Sequence, residues 1–293
     1  LLRRAKSGRP GAAANVEHMH ARFDRGEVKY DVYELTYALA FSVDPASVTP
    51  AQRQIGKAMT LGLGFGGGVG AYVTFAKSVG VDLQAMTVAT QAVAEPGMWQ
   101  NALDKHEWAV EAGFDGGLSA LVFAACEYLK TMWRNSRQPT VRLWTKLEEA
   151  VGNAAVTEGM PFMAGERIAV RRVGEWTQIR LPSGRFLTLH NLRFANGELQ
   201  CDAVDEATGI LIEGTKLYGG KLSGWVTQAT ARDVLKGAQL RAEAAGFPIV
   251  LAVHDELVAE TQDKTHEELC AVLAAGESWT TGLPLAATGW TGE

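Results

Sequence analysis

Residues 249–260 constrain the fold of this 293-residue chain more than any other stretch. Five apolar residues are followed by His254, Asp255 and Glu256, and then by a second short apolar run. Two apolar runs joined by a tight polar turn predict a β-hairpin whose short strands belong to a buried sheet. The sequence therefore predicts a pair of carboxylates at the tip of a hairpin.

The side chains at this tip have the chemistry of a divalent metal site. Carboxylate oxygens are ligands that Mg²⁺ prefers, and a bound Mg²⁺ retains water molecules that a phosphate can displace. Neighbouring side chains in a strand point to opposite faces, so we expect one direct ligand and favour Asp255 over Glu256. A polar turn of this kind, taken by itself, is more often simply solvated. The metal hypothesis therefore depends on the rest of the chain.

Composition limits the classes of protein to which the chain can belong. A hydrophobic content of 47% over 293 residues is enough for one large core or two smaller ones. The net charge of -5 argues against a surface that coats nucleic acid nonspecifically. The three widely spaced cysteines form no C-x-x-C pair, which predicts a cytoplasmic protein without disulfides or structural zinc.

Residues 58–76 contain no charged side chain and could be mistaken for two other kinds of segment. Their length suits a membrane span, but they contain six glycines and no second such segment exists, so we predict no membrane association. Gly62, Gly64 and Gly67 also match the spacing of a dinucleotide-binding loop, which requires a preceding strand. Thr49 followed by Pro50 predicts a capped helix there instead. A nucleotide-binding oxidoreductase is therefore the least favoured of the three functions that we consider for this chain.

The sequence pattern changes from helical to strand-like near residue 166. We predict a flexible basic arm over residues 1–28, α-helices over 29–165, and an antiparallel sheet with covering helices over 166–293, an α+β fold. In the last region, short strand patterns separated by Gly-containing turns predict a meander between residues 168 and 212. We further expect helices over residues 223–245 and 265–276, and a terminal strand over residues 283–287.

Two motifs in order resemble those of a known family. Arg53 and Lys57 lie one turn apart on the predicted helix that begins at Pro50, and cations so placed can bind a triphosphate. Residues 53–66 resemble motif B of the family A (DNA polymerase I-like) DNA polymerases, in the form found in phage enzymes. Residues 253–256 are similar to motif C of that family, about two hundred residues later. The joint occurrence of both motifs is more specific than either motif alone.

The resemblance assigns roles to four residues of the motif B helix. Arg53 and Lys57 would bind the phosphates of the incoming deoxynucleotide, and Lys57 would also protonate the departing pyrophosphate. Phe65 stands where relatives usually have a Tyr, so it can stack at the insertion site but cannot donate a hydrogen bond. Leu61 replaces a ring that lies against the sugar and the base.

The resemblance also assigns contacts to DNA and to two Mg²⁺ ions. Gln228 would read the minor groove near the primer end, and His254 would contact the primer terminus. Asp255 would bind both metal ions, with Glu256 as a supporting carboxylate. The expected ligands are therefore Mg²⁺, deoxynucleoside triphosphates and primer-template DNA.

Motif A, which carries the second bridging Asp in this family, should fall about where the chain begins. Residues 1–16 contain no Asp or Glu. We therefore expect the C-terminal fingers and palm of a replicative, phage-type split polymerase that needs an N-terminal partner fragment carrying motif A and the thumb. In that case it would work in the host cytoplasm. The alternative is a catalytically inactive remnant that binds DNA or a partner.

Overall fold

The computed structural model describes residues 30–205 and 208–292. The chain divides into two compact units between Arg142 and Leu143. The predicted arm of residues 1–28 lies outside the described residues, and the predicted boundary between residues 165 and 166 stays a prediction. The α+β class is confirmed, because helices occupy the first unit and a six-stranded antiparallel sheet occupies the second.

Helices make up the regular structure of residues 30–142, the described part of the first unit. They are α1 Val32–Phe41, α2 Pro50–Leu63, α3 Val69–Ser78, α4 Leu83–Val93, α5 Pro96–Glu111, α6 Ala120–Ser136 and the start of α7 Gln138–Val156, with a 3₁₀ turn at Pro45–Ser47. Helix α2 packs against α1, α3 and α6. No helix in the described part of the chain is both long enough and apolar enough to cross a membrane.

Local capping signals explain where α1 and α2 begin. Asp31 and Glu34 form a capping box at the start of α1, and Thr49 and Gln52 form another at the start of α2. Each box satisfies backbone N–H groups that have no partner within the helix. The predicted start of α2 at Pro50 is therefore confirmed.

The first and second helices approach each other closely at Gly56. A Cβ atom built on Gly56 would lie 2.0 Å from the backbone oxygen of Tyr33. One turn further along, the hydroxyls of Thr36 and Thr60 are 3.1 Å apart. Gly56 therefore permits backbone contact between the two helices.

The second unit contains the predicted meander. Its strands are β1 Phe162–Met163, β2 Ala169–Val173, β3 Trp176–Arg180, β4 Phe186–Ala195, β5 Glu198–Val204 and β6 Leu211–Lys216. Each strand pairs antiparallel with the next one along the chain, so the spatial order equals the sequence order. The turn signals between residues 168 and 212 therefore gave the correct topology.

One face of this sheet packs on helices. The core includes Leu147 and Val151 of α7, Val170 and Ile179 of the sheet, and Leu222 of helix α8 Gly219–Ala244. Alternation along the strands leaves the intervening side chains on the opposite face.

Helix α8 begins four residues before the predicted start at residue 223. Its first residue, Gly219, donates its N–H to Glu148 Oε2 at 2.8 Å. A Cβ atom there would lie 2.2 Å from the backbone oxygen of Trp144. The early start is therefore fixed by contact with α7, which the local sequence pattern does not show.

The predicted hairpin is present as a separate two-stranded sheet of β7 Ile249–Val253 and β8 Glu256–Ala259. The expectation that its strands are buried was wrong. Val250, Leu251, Val253 and Val258 are between 44% and 57% exposed, and they lie on both strands. An apolar run signals a strand but does not specify what covers it.

The end of the chain contains one confirmed helix and one incorrect strand prediction. Helix α9 His266–Ala274 follows the Thr265 capping box, within the predicted limits. Residues 283–287 form no strand. A strand needs a hydrogen-bonded neighbour, and within residues 30–205 and 208–292 β7 and β8 pair only with each other.

Candidate functional site

Three residues of helix α2 and one just beyond its end form a stripe at intervals of four residues. Arg53 and Lys57 are half-buried, whereas Leu61 is 38% and Phe65, just beyond the helix end, 44% exposed. Residues four apart are neighbours on a helix surface, so Arg53, Lys57 and Leu61 follow one side of α2, and Phe65 comes next along the chain. The buried residues of the helix are Gly56, Ala58, Met59, Gly62 and Leu63. The predicted nucleotide-binding residues therefore form one accessible stripe. Other residues of α2 are buried and hold the helix in place.

The guanidinium of Arg53 is held by residues at the start of α1. Its Nε donates to Asp31 Oδ2 at 2.7 Å, and its Nη2 donates to the same oxygen. Its central carbon lies 5.0 Å from the ring centroid of Tyr33, a cation–π contact. The other oxygen of Asp31 accepts the backbone N–H groups of Tyr33 and Glu34 at 2.9 Å each. One carboxylate thus caps α1 and orients Arg53.

Opposing effects set the ionisation of Asp31. Burial disfavours the charged form, but hydrogen bonds from the backbone amide of Glu34 and from Arg53 outweigh it and lower the pKa of this carboxyl below its usual value. Asp31 is therefore ionised at neutral pH, and Arg53 keeps a charged partner. The sequence analysis did not identify Asp31 as a partner of Arg53. The local signal that marks Asp31 is the capping box that it forms with Glu34 at the start of α1.

Lys57 forms no salt bridge with an acid in the described residues, and its ammonium can donate three hydrogen bonds. Arg53 therefore supplies a cation oriented by Asp31, and Lys57, one helical turn away, supplies a cation without a salt bridge in the described residues. This arrangement can bind the oxygens of a polyphosphate.

The glycine run after α2 serves packing rather than dinucleotide binding. A Cβ atom on Gly67 would lie 1.8 Å from the backbone oxygen of Gly62. Arg134 of α6 donates to the backbone oxygens of Gly66 and Gly67 at 3.4 and 3.2 Å. The preceding element is a helix, which contradicts the oxidoreductase hypothesis.

The hairpin tip is a two-residue loop. Val253 pairs with Glu256, so His254 and Asp255 are the two loop residues. His254 has a φ of 53°, in the left-handed region that favours glycine. Such conformations in other residues cost about 1–3 kcal/mol and occur often at functional sites. The side chains of His254, Asp255 and Glu256 are all exposed.

The donor chemistry of the tip suits a hard cation. Asp255 and Glu256 offer carboxylate oxygens, and neither forms a salt bridge with a cation in the described residues. No group of three or more His, Cys, Asp and Glu side chains comes together in the described part of the chain. The tip by itself therefore supplies part of a metal coordination shell.

Gln228 lies on the exposed side of α8, in the same unit as the hairpin. It borders a cavity of about 550 Å³ between α8 and the sheet, which Leu189, Cys201 and Trp225 also line. Burial raises the pKa of the Cys201 thiol to about 11, so it is not a nucleophile at neutral pH. The structure thus gathers the predicted residues into a cation stripe in the first unit and a carboxylate tip, with Gln228, in the second.

Comparison with known proteins finds no matching family model. The chain is 29% identical over 272 residues to a DNA polymerase of Bacillus phage SP02. The match covers 88% of this chain and 35% of the phage protein. This similarity supports a relationship to a DNA polymerase. The chain spans about a third of the length of that relative.

The extent of the match places both candidate elements inside it. A match covering 88% of 293 residues leaves about 35 residues outside. That number is smaller than the stretch before Pro50 and smaller than the stretch after Glu256. The cation stripe and the carboxylate tip therefore both lie in the region shared with the phage polymerase.

Proposed function

We propose that this chain is the C-terminal fingers and distal palm of a template-directed DNA polymerase of family A, of the phage type. It would bind a deoxynucleoside triphosphate, Mg²⁺ and primer-template DNA for nucleotidyl transfer in DNA replication. The observation that carries the proposal is the similarity to the phage DNA polymerase, which takes in both α2 and the β7–β8 turn.

In this proposal, the α2 stripe binds the incoming nucleotide. Arg53, held by Asp31, and Lys57 contact the triphosphate, and Lys57 donates a proton to the departing pyrophosphate. Phe65 stacks at the insertion site, and Leu61 contacts the sugar and base by apolar contact alone. The exposure of both apolar side chains supports these roles, because an exposed Leu and Phe beside two cations can contact a ligand.

The hairpin tip binds the metal and the primer end. Asp255 supplies a ligand, Glu256 a supporting carboxylate, and His254 and Gln228 contact the primer-template. Mg²⁺ bound there would neutralise the phosphates and increase the reactivity of the primer hydroxyl. Asp255 lies in the turn and Glu256 at the start of β8, so the two carboxylates need not follow the strict alternation of a strand.

The proposal includes an N-terminal partner fragment that supplies motif A, with a second Asp, and the thumb. In-line phosphoryl transfer through two metal ions requires ligands for both ions, and the tip offers one bridging carboxylate. The exposed apolar side chains of β7 and β8 give such a fragment a surface to cover.

Primer extension tests the proposal. The chain, an upstream fragment of the same polymerase that contains motif A, and an equimolar mixture are each incubated with primed template, Mg²⁺ and deoxynucleotides. Extension by the mixture and not by the fragment alone supports the proposal. Binding of primer-template without extension in any mixture identifies the inactive remnant instead, and the absence of both binding and extension rejects both functions.

A further inference from the structure

The side chains of β2, β3 and β4 that alternate with the buried Val170, Thr177 and Leu189 form an aromatic and basic face of the six-stranded sheet. At one end of this face, Trp176 and His190 also border the cavity that Trp225 and Gln228 of α8 line. Strand register places side chains in three cross-strand rows on this face: Val173, Trp176 and His190; Arg171, Gln178 and Thr188; and Ala169, Arg180 and Phe186. Residues that pair directly across antiparallel strands point to the same side. We call the surface formed by Arg171, Trp176, Arg180, Phe186 and His190 the aromatic face.

Two large rings of the aromatic face are open to solvent. Trp176 is 49% and Phe186 46% exposed. The ring of His190 lies 4.8 Å from that of Trp176 at an interplanar angle of 49°. Trp176 pairs with His190, which lies four residues from Phe186 on β4, so the two large rings are about 13 Å apart along the strands. Each ring can therefore stack with a separate planar group.

Positive charge on this face lies beside the rings. Arg171 Nη2 donates to Gln178 Oε1 at 3.1 Å, and neither Arg171 nor Arg180 forms a salt bridge with an acid among the described residues. Further along the sheet, Arg193 is paired with Asp202 and Lys216 with Glu198. On the aromatic face, Arg171 and Arg180 thus carry positive charge beside Trp176 and Phe186 without a salt bridge to a described acid.

Acids approach the aromatic face at His190 and at Arg180. Asp202 pairs with His190 across the strands, with 4.0 Å between Asp202 Oδ2 and His190 Nδ1. Glu175, in the β2–β3 turn, is 3.9 Å from His190. Glu166 lines a cavity of about 280 Å³ together with Arg180. Asp202 forms hydrogen bonds with Asn191 and Arg193, which lower its pKa to about 2. The centre of the face therefore combines positive charge with exposed rings although the chain as a whole has a net charge of -5.

We propose that the aromatic face binds single-stranded nucleic acid. Bases stack on Trp176 and Phe186, and Arg171 and Arg180 contact the flanking phosphates. An unpaired strand exposes the faces of its bases and a negatively charged backbone. Exposed rings on an antiparallel sheet can stack on the bases, and the flanking cations can contact the phosphates. A duplex presents phosphates but not base faces, so stacking favours the single strand.

Fluorescence anisotropy with a labelled oligothymidylate of about 12 nucleotides measures this binding. Trp176→Ala and Phe186→Ala should each weaken binding roughly tenfold, because stacking of a base on one ring supplies about that factor. Trp176→Phe, which keeps a ring, should bind close to the unchanged chain. Trp108→Ala, at another exposed Trp on α5, is the matched control and should have no effect. An unchanged melting temperature in each variant shows that the sheet remains folded.

The two arginines are tested by the dependence of affinity on salt. Arg171→Gln with Arg180→Gln should reduce the slope of log affinity against log salt by about 1.4, since two phosphate contacts are lost on a single strand. Lys77→Gln, at an exposed cation of α3, should leave the slope unchanged. Oligothymidylate and oligouridylate are compared to determine whether the strand is DNA or RNA.

Two results would overturn the proposal. One is an unchanged affinity for oligothymidylate when both rings are removed. The other is an equal loss of affinity for a blunt duplex, which would indicate a general electrostatic surface. Both measurements use DNA without a primer terminus and without Mg²⁺, so they are independent of primer extension and of the proposed polymerase function.

Discussion

The cation stripe on α2 and the carboxylate tip of the β7–β8 hairpin differ in how the chain supports them. Helix α2 begins at a capping box, buries one side, and has Arg53 oriented by Asp31 and Tyr33. The hairpin is exposed on both strands, and its tip includes a His in a left-handed conformation. The chain thus builds the first site from its own packing, whereas apolar surface next to the second is available for a partner to cover.

Removal of the Asp255 carboxylate should have the largest effect. In the proposed polymerase, assembled with its partner fragment, we expect Asp255→Ala to reduce Mg²⁺-dependent nucleotide addition at least roughly 10²–10³-fold, the scale for losing a key electrostatic group in a reaction site. Because the side chain is exposed, the melting temperature should not change. The rate of primer extension at saturating nucleotide measures the effect.

Asp263→Ala provides a control at another exposed loop carboxylate and should keep full activity. Retention of activity by Asp255→Ala would contradict the proposed role of this residue as a metal ligand.

Truncation of Lys57 should have the next largest effect. Lys57→Ala should weaken nucleotide incorporation about 10–100-fold, the worth of a charge-assisted hydrogen bond to phosphate. The fold should tolerate the change, since Lys57 makes no salt bridge with a described residue. Steady-state kcat/KM for the nucleotide is the measurement, and Lys77→Ala on α3 is the control. Equal kcat/KM for Lys57→Ala and the unchanged chain would count against nucleotide binding by the stripe.

A methyl group at Gly56 should disturb the support of the stripe. Gly56→Ala would place a Cβ 2.0 Å from the backbone oxygen of Tyr33, so α1 and α2 must separate, and we expect a loss of about 1–3 kcal/mol in unfolding free energy. Gly70→Ala on α3 is the control: apart from its chain neighbours and the nearby backbone of α3, no atom lies within 4 Å of the added Cβ, and helix propensity favours Ala. Chemical denaturation compares the two. Equal stability of both variants would show that α1–α2 contact does not support α2.

Loss of the charge on Asp31 should have the smallest effect on stability. Asp31→Asn keeps a capping side chain but removes the ion pair with Arg53, and because the pair is about one-third exposed we expect a loss below about 1 kcal/mol. The KM for the nucleotide should rise more than kcat falls, because Arg53 loses its orientation. A fall in kcat alone would contradict the positioning role.

The pH dependence of the unfolding free energy tests whether the Asp31 carboxylate stabilises the folded chain. The pKa of Asp31 is lower in the folded chain, so its contribution is complete above the ordinary value of about 4 and is lost as pH falls through the folded-state value. Asp202 acts in the same direction down to about pH 2. The unchanged chain should therefore lose more stability than Asp31→Asn when the pH is lowered from 6 toward about 3. Equal losses would show that Asp31 is not linked to folding.

The sequence by itself determined the local elements. The starts of α2 and α9 follow from Thr49 and Thr265 with their capping partners, and the meander follows from its turns. These features depend on interactions among residues close in sequence, and such interactions leave a readable pattern. The sequence also identified the candidate residues of both elements, and their roles stay predictions.

The tertiary structure decided what each element contacts. The pairing of Arg53 with Asp31, the start of α8 against Trp144, the exposure of β7 and β8, and the absence of a strand at residues 283–287 all depend on residues far apart along the chain. The type of a side chain indicates whether it needs apolar cover or an opposite charge. It does not indicate which distant residue provides that contact, because the partner is fixed only when the chain packs.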